Sequence, residues 1–333
     1  MTQRGLRVWG VTLVTLALGL ALLPLVANAY LLATALGLLM WLALTQSWCV
    51  FSRMTGYVSL GHVVFYGLGA YVVVVTWQQW PLPLAVLAGG AVAAVFAALI
   101  GGPVLRVRGP YFVILTFGVA ELVRYAILAG EAASGTASRI LFGAPDLILI
   151  YAAMYALALA ATVLLLAVSR SRFGHGLRSL RENEEAAETL GVPVVRYKLA
   201  AFVLSAAIPG MVGGVMALRS TYFVVGQVFD PMISVTIIAM ALLGGGDDTR
   251  GPVLGTVFLF VVEELLWANA PLAYMIILGG ILAGFVLLAP NGLVGMIDAR
   301  RRGVGADAAM ESTAPGTAPA VASLGSAPTQ EPT

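Results

Sequence analysis

Charged residues are scarce in this chain. Of its 333 residues, 10% are charged and 60% are hydrophobic, whereas a soluble domain has about 25% charged and about 45–50% apolar residues. A soluble protein of this length could not bury so much apolar surface, so the composition indicates one integral membrane domain. The net charge of +2 gives no support to a nucleic-acid partner.

Cysteine and histidine are nearly absent. The single cysteine, Cys49, lies in an apolar run and cannot form an intrachain disulfide. One cysteine and two histidines argue against a metal site. No clustered set of acid and base residues points to a membrane enzyme, and we expect no cofactor.

Long apolar runs fill most of the first 300 residues. Most are near the roughly 20 residues that a helix needs to cross the hydrocarbon core. An all-α polytopic membrane protein is therefore predicted, with ten transmembrane helices at 8–27, 31–50, 63–77, 83–105, 111–128, 147–168, 199–218, 232–246, 252–268 and 272–289. Ala27-Asn28-Ala29 resembles a signal-peptidase site, but the length of the first run favours a retained helix.

The basic residues orient this map. Fifteen of the 18 Lys and Arg residues fall on one side of the predicted membrane, which the positive-inside rule makes the cytoplasm. These are Arg4, Arg7, Arg53, Arg106, Arg108, Arg170, Arg172, Arg178, Arg181, Arg196, Lys198, Arg250, Arg300, Arg301 and Arg302. Both termini are thus predicted to be cytoplasmic, with a membrane domain over 1–302. Residues 303–333 are rich in Ala, Pro, Gly, Ser and Thr, which predicts a disordered tail.

Ten spans divide into two sets of five, and an odd number per half gives an inverted 5+5 repeat. The third and eighth spans hold corresponding positions and are both short, with glycines beside them. Short, Gly-interrupted spans at matched positions indicate broken or re-entrant helices along a transport pathway. A tilted bundle with loosely set boundaries explains the same pattern.

The longest predicted cytoplasmic loop, 169–198, contains an amphipathic stretch. Its apolar stripe follows three- and four-residue steps and includes Leu177, Leu180 and Ala187. Gly191 followed by Pro193 is a helix stop. We predict one helix over about 175–190, and its mixed charge favours docking to a soluble protein over resting on lipid.

Two charged residues lie inside the fifth span. Glu121 and Arg124 are three residues apart, so they can pair on one helix face. Charges at mid-membrane are candidate functional groups, and a structural ion pair and a pathway role both remain open. His62, at the start of the third span, either lines a broken helix or is an interfacial histidine.

Four segments resemble one family in the family's order. They are Thr55–His62 (TGYVSLGH), Arg108–Glu121 (RGPYFVILTFGVAE), Arg178–Gly214, which begins RSLRENEEAAETLGV, and Leu243–Gly255 (LGGGDDTRGPVLG). Together they resemble the permeases of ABC importers for branched-chain amino acids, most closely the LivM-type subunit. Pro209 and the Gly-Asp-Asp at 246–248 depart from the expected small residues.

The resemblance implies a type II ABC-importer-like permease in the bacterial cytoplasmic membrane. Its partners would be a second permease, two cytoplasmic ATPases and a periplasmic or lipid-anchored binding protein. The chain has no Gly-x-x-x-x-Gly-Lys-Ser/Thr loop and so is not itself the ATPase. The implied ATPase-coupling residues are Leu177, Arg178, Leu180, Arg181, Glu184, Ala187 and Gly191.

Eight residues are candidates either for lining the transport pathway or for a purely structural role. They are Gly56, Ser59, Gly61, His62, Glu121, Arg124, Gly244 and Gly245. Branched-chain amino acids are the favoured solute, and urea, short amides and other amino acids are the alternatives. An ion-coupled secondary carrier is the competing function.

Overall fold

The computed structural model describes residues 19–24, 28–135, 139–141, 143, 145–220, 222–245, 249–269, 279–280, 284 and 292–296. Most of the first and tenth predicted spans, the Gly-Asp-Asp at 246–248 and the predicted tail lie outside these described residues.

The described chain is built almost entirely of helices. In order they are α1 (Ala29–Trp48), a π-helix (Cys49–Arg53), α2 (His62–Thr76), α3 (Leu82–Val104), α4 (Pro110–Ala133), α5 (Leu147–Arg170), α6 (Arg172–Glu182), α7 (Glu184–Thr189), α8 (Val194–Ala217), α9 (Val225–Val228), α10 (Pro231–Gly244) and α11 (Arg250–Asn269). Two short strands, β1 (Arg139–Ile140) and β2 (Tyr222–Phe223), pair antiparallel.

Six described segments are long and apolar enough to cross a membrane. They are Ala29–Arg53, Leu82–Val104, Pro110–Ala133, Leu147–Arg170, Val194–Ala217 and Val225–Gly244. The helix α2 is apolar but shorter, at 15 residues. The prediction of a polytopic α-helical membrane protein is confirmed at this level, and the count of ten remains a prediction.

The helix α8 lies at the centre of the bundle, packed against α1, α2, α3 and α5. Small residues allow the close approach, because a Cβ on Gly69 of α2 would collide with the backbone of Gly210 in α8. Gly210 and Gly214 of α8, spaced as in a GxxxG motif, therefore serve contacts within this chain.

Pro209 lies inside α8, which nevertheless continues to Ala217. Proline has no N–H, so the carbonyl of Ser205, four residues earlier, loses its usual helical donor. The Ser47 hydroxyl of α1 fills this place by donating to the Ser205 carbonyl oxygen at 2.6 Å. A hydroxyl from a neighbouring helix thus satisfies the backbone group that proline frees.

A polar cluster holds the two strands to the bundle at the end away from α6 and α7. Arg139 of β1 reaches both carboxylate oxygens of Glu131, at 2.7 and 3.3 Å, and Tyr71 donates to the same carboxylate at 2.7 Å. This cluster ties α2, α4 and β1 together. Tyr71 also packs against Phe223 of β2.

Candidate functional site

The segment Gly56–Gly61 between the π-helix and α2 is irregular, and its Ser59 and Gly61 are buried in the bundle. The Trp48 indole, from the last turn of α1, donates to the Ser59 carbonyl at 2.9 Å. Thr116 of α4 accepts from the Leu60 amide, and Ser234 of α10 accepts from the Val63 amide. Irregular backbone at membrane depth is tolerated when protein groups satisfy it in this way.

His62 is fully buried at the start of α2. Its Nδ1 lies 3.3 Å from the Ser59 hydroxyl, and its ring packs edge-on against Phe65 and Phe202. Its Nε2 finds no hydrogen-bond partner within the described part of the chain. The ring is thus enclosed by helices, and its place along a broken helix stays a prediction.

Two arginine side chains join this segment to α6 and α10. Gly56 has a φ of +78°, and a Cβ there would lie 2.9 Å from the Cγ of Arg181. Arg181 donates to the Arg53 carbonyl at 3.3 Å, and Arg53 donates to the Ala241 carbonyl at 3.1 Å. The predicted residues Gly56 and Arg181 are therefore in direct contact.

Gly244 and Gly245 form the junction of α10 with α11. A Cβ on Gly244 would collide with the carbonyl of Gly251, and Gly245 has a φ of +61°. These glycines are needed for helix packing at this junction. Arg53 also reaches it, because a Cβ on Gly251 would lie 3.3 Å from an Arg53 nitrogen.

The predicted single helix over 175–190 is wrong, since the structure has two helices there. Asn183 is extended, at φ −159° and ψ 112°, and its side chain accepts from the Ala186 amide at 3.0 Å as the N-cap of α7. The predicted stop is confirmed. Gly191, at φ +84°, donates to Glu188, and Val192 donates to Ala187, which is a Schellman motif.

Three of the implied ATPase-coupling residues are buried within the chain and present no surface to a partner. Leu177, Leu180 and Ala187 are 0%, 4% and 2% exposed and belong to the chain's own main core. An apolar stripe faces whatever excludes water from it, and here the membrane helices do so. The exposed side of α7 carries Glu185 and Ala186, and Leu190 just beyond it is 82% exposed.

Glu184 is at the centre of a polar cluster that sequence reasoning missed. It accepts from Lys198 at 2.6 Å and from the Tyr57 hydroxyl at 2.9 Å, and Arg108 lies 3.4 Å away. Lys198 also donates to the Tyr57 oxygen at 2.8 Å and lies over its ring. The cluster fastens α7 to α8, to Gly56–Gly61 and to the turn before α4.

Burial raises the pKa of the Glu184 carboxyl, but hydrogen bonds from Lys198 and Tyr57 outweigh it and hold that pKa below its usual value. Glu184 is therefore an anion at neutral pH. The contacts within this cluster span 14 to 141 residues of sequence. The sequence signals were the lone lysine in an apolar helix and the tyrosine inside the TGYVSLGH segment.

An open cleft of about 570 Å³ lies beside this cluster. Its walls come from the turn before α4, the segment after the π-helix and the break between α6 and α7, and it is lined by Thr55, Gly56, Tyr57, Val58, Gly109, Pro110, Val113, Leu180, Arg181, Glu182, Asn183 and Glu184. Within the described ranges, no group of three or more His, Cys, Asp or Glu side chains could hold a metal ion.

Glu121 and Arg124 form the predicted pair in the middle of α4. Arg124 Nη1 lies 3.4 and 3.3 Å from the two Glu121 oxygens. The pair is separate from the polar cluster around Glu184. Neither side chain is fully buried, with 24% of Glu121 and 29% of Arg124 exposed.

These features define the class of protein as a multi-pass α-helical membrane protein with an irregular segment inside its bundle. The family model described as "Branched-chain amino acid transport system / permease component" matches residues 29–289. The chain therefore belongs to this family of transport permeases.

Individual curated proteins similar to this chain are also transport permeases. The high-affinity branched-chain amino acid transport system permease protein LivM of Salmonella typhimurium is 29% identical over 281 residues, and LivM of Escherichia coli is 28% identical. The match covers 73% of this chain but 65% of each LivM protein. The L-arabinose transport system permease protein AraH of Escherichia coli is 34% identical over 37% of this chain and 39% of its own length. No solved structure matches the chain.

Proposed function

We propose that this protein is the permease subunit of an ATP-driven ABC importer and forms half of the pathway for branched-chain amino acids or a similar small polar solute. Membership of the permease family over residues 29–289 carries the proposal. The names of the LivM relatives favour branched-chain amino acids as the solute. The ion-coupled carrier is not favoured by this family membership.

We propose that the protein has the complete membrane topology expected from the sequence and lies in a bacterial cytoplasmic membrane. It has ten spans with an inverted 5+5 repeat in residues 1–302, cytoplasmic termini and a disordered tail at 303–333. The two short helices support it. At 15 and 14 residues, α2 and α10 reach only about 21–23 Å at 1.5 Å per residue. An irregular segment precedes α2, and the short helix α9 precedes α10.

The proposed partners are a second permease, two cytoplasmic ATPases and a periplasmic or lipid-anchored binding protein. For the ATPase we propose a docking surface made of Glu185, Ala186 and Leu190 and the adjacent cleft. Its exposure supports this choice. Leu177, Leu180 and Ala187, the buried members of the implied ATPase-coupling set, would then transmit motion from α6 and α7 to α8 together with Glu184.

Reconstitution tests the proposal. Vesicles with this chain, the second permease, the ATPases and the binding protein encoded beside it should take up labelled L-leucine only when ATP is inside. Vesicles with this chain alone should take up none. Uptake by the chain alone, driven by a sodium or proton gradient, would show a secondary carrier instead.

A further inference from the structure

The Glu121–Arg124 pair lies on a membrane span that buries little of itself. Its buried residues are Phe112, Thr116, Ala120, Val123 and Glu131, all on one side. Glu121 is 11 residues after Pro110 and 12 before Ala133, so it lies near the middle of the helix. The described part of the chain leaves the other side of α4 uncovered.

Glu121 belongs to that uncovered side. Ile114, Gly118, Glu121 and Tyr125 follow steps of four, three and four residues and therefore share one helix face. Ile114, Gly118 and Tyr125 are exposed. We call these four residues the α4 face.

Arg124 lies at the edge of this face, and its side chain extends towards α9. Its Nη2 lies close to Gly226, since a Cβ on that glycine would be 4.0 Å away. The Arg124 Nε is buried and has no hydrogen-bond partner among the residues that the structure describes. Glu121 alone therefore does not use all the donors of this guanidinium.

Contact of the α4 face with lipid is energetically unfavourable. A charged side chain facing hydrocarbon at mid-depth costs at least a few kcal/mol, and such residues face the bundle interior or a water-filled cavity. Elsewhere the chain covers such a charge, as it does Glu131 with Arg139 and Tyr71, but the described residues leave the Glu121–Arg124 pair partly exposed. The α4 face is thus expected to border an aqueous pathway.

We propose that the α4 face lines the solute pathway between this chain and the second permease, and that Glu121 and Arg124 bind the charged head group of a zwitterionic α-amino acid. Arg124 donates to the α-carboxylate, and Glu121 accepts from the α-ammonium group. The proposal rests on the importer function above. The pair has one charge of each sign, about 3.3 Å apart, so it can match a head group whose two charges are held on a single carbon.

Charge removal in the reconstituted complex tests the role. Glu121→Gln alone leaves Arg124 uncompensated and is prone to misfold, so the informative variant is Glu121→Gln with Arg124→Leu. We expect this double variant to assemble but to lower L-leucine uptake per folded complex about tenfold or more, mainly through KM, as for the loss of a charge-assisted hydrogen bond. Glu131→Gln with Arg139→Leu, which removes the ion pair between the end of α4 and β1, is the matched control and should retain uptake once folded.

The outcomes are distinct. A double variant at 121 and 124 that folds and transports like the wild type would show a purely structural pair and overturn the inference, while the importer function stands. A wild-type complex without ATP-driven amino-acid uptake would overturn the proposed function, and the inference with it.

A second measurement tests the face directly. Cys49 is the only cysteine, so Cys49→Ala gives a cysteine-free background. In the complex, Gly118→Cys and Tyr125→Cys should react with a charged, membrane-impermeant thiol reagent, and a Cβ at Gly118 meets nothing within 4 Å. Val95→Cys in α3 and Val163→Cys in α5, both exposed on other membrane helices, are the controls. Reaction of Gly118→Cys and Tyr125→Cys no faster than these controls would overturn the inference.

Discussion

Single residues from distant parts of the chain complete one another's hydrogen bonds. Pro209 leaves the Ser205 carbonyl without its helical donor, and Ser47 supplies a hydroxyl at 2.6 Å. This pairing accounts for a proline in the most central helix, because the group it frees is not left unsatisfied. The serine and the proline should therefore be energetically coupled.

We expect Ser47→Ala to destabilise the protein by about 1–3 kcal/mol, since it leaves a buried carbonyl unpaired. Pro209→Ala restores an N–H at residue 209, so the double variant should lose less than Ser47→Ala alone. Thermal unfolding in detergent measures all three. Strictly additive effects in this cycle would contradict the pairing.

The Glu184 cluster gives a second residue-scale prediction. Lys198 is 2% exposed and Glu184 15%, so Glu184→Gln should cost about 3–5 kcal/mol by leaving a buried ammonium uncompensated. Glu184→Gln with Lys198→Met removes both charges and should recover most of that loss. Unfolding midpoints compare the two variants, and equal losses would show that the ion pair is not the cause.

The same carboxyl sets a pH dependence. Its pKa is lower in the folded protein than in the unfolded chain, so its contribution is complete above the ordinary carboxyl pKa and disappears as the pH falls through the lowered value. Stability should thus be flat near neutrality and fall in acid. The acid-side slope should be smaller in Glu184→Gln with Lys198→Met.

At the scale of elements, α7 offers a matched pair of positions for the docking proposal. Ala186 is exposed and Ala187 is 2% exposed, and arginine is nearly as good a helix former as alanine. Ala186→Arg should leave the unfolding midpoint unchanged but lose the ATPases on purification. Ala187→Arg should lower the midpoint itself. Full ATPase retention in Ala186→Arg would exclude this face of α7.

The elements also show what sequence can and cannot predict. Hydropathy located the described spans, and Gly191 marked the end of α7, because both signals are local. The apolar stripe through Leu177 and Leu180 correctly predicted that these side chains are buried. It did not predict which element covers them, because the spacing of apolar residues carries no information about the packing partner. Asn183 before two glutamates was an N-cap signal that the stripe concealed. The contact of Tyr57 with Lys198 depends on packing and has no local signature.

The whole molecule poses the question of orientation. The proposed topology puts the end with α6 and α7 in the cytoplasm, supported by the basic residues there. Reporter fusions after Arg108 and Glu185 should read inside, and fusions after Gln79 and Ser134 should read outside. A fusion at Glu185 that reads outside would rule out any contact of α7 with a cytoplasmic ATPase.

The central place of α8 has a consequence for biogenesis. Its contacts with Ser47 and Tyr57 close hydrogen bonds that the first spans cannot make among themselves. A ribosome synthesises residues 56–61 long before Lys198, so the early helices must wait in the translocon or in lipid with polar groups uncovered. We expect the bundle to consolidate late, when α8 inserts among helices already present, and insertion of that helix to be the step on which a productive fold depends.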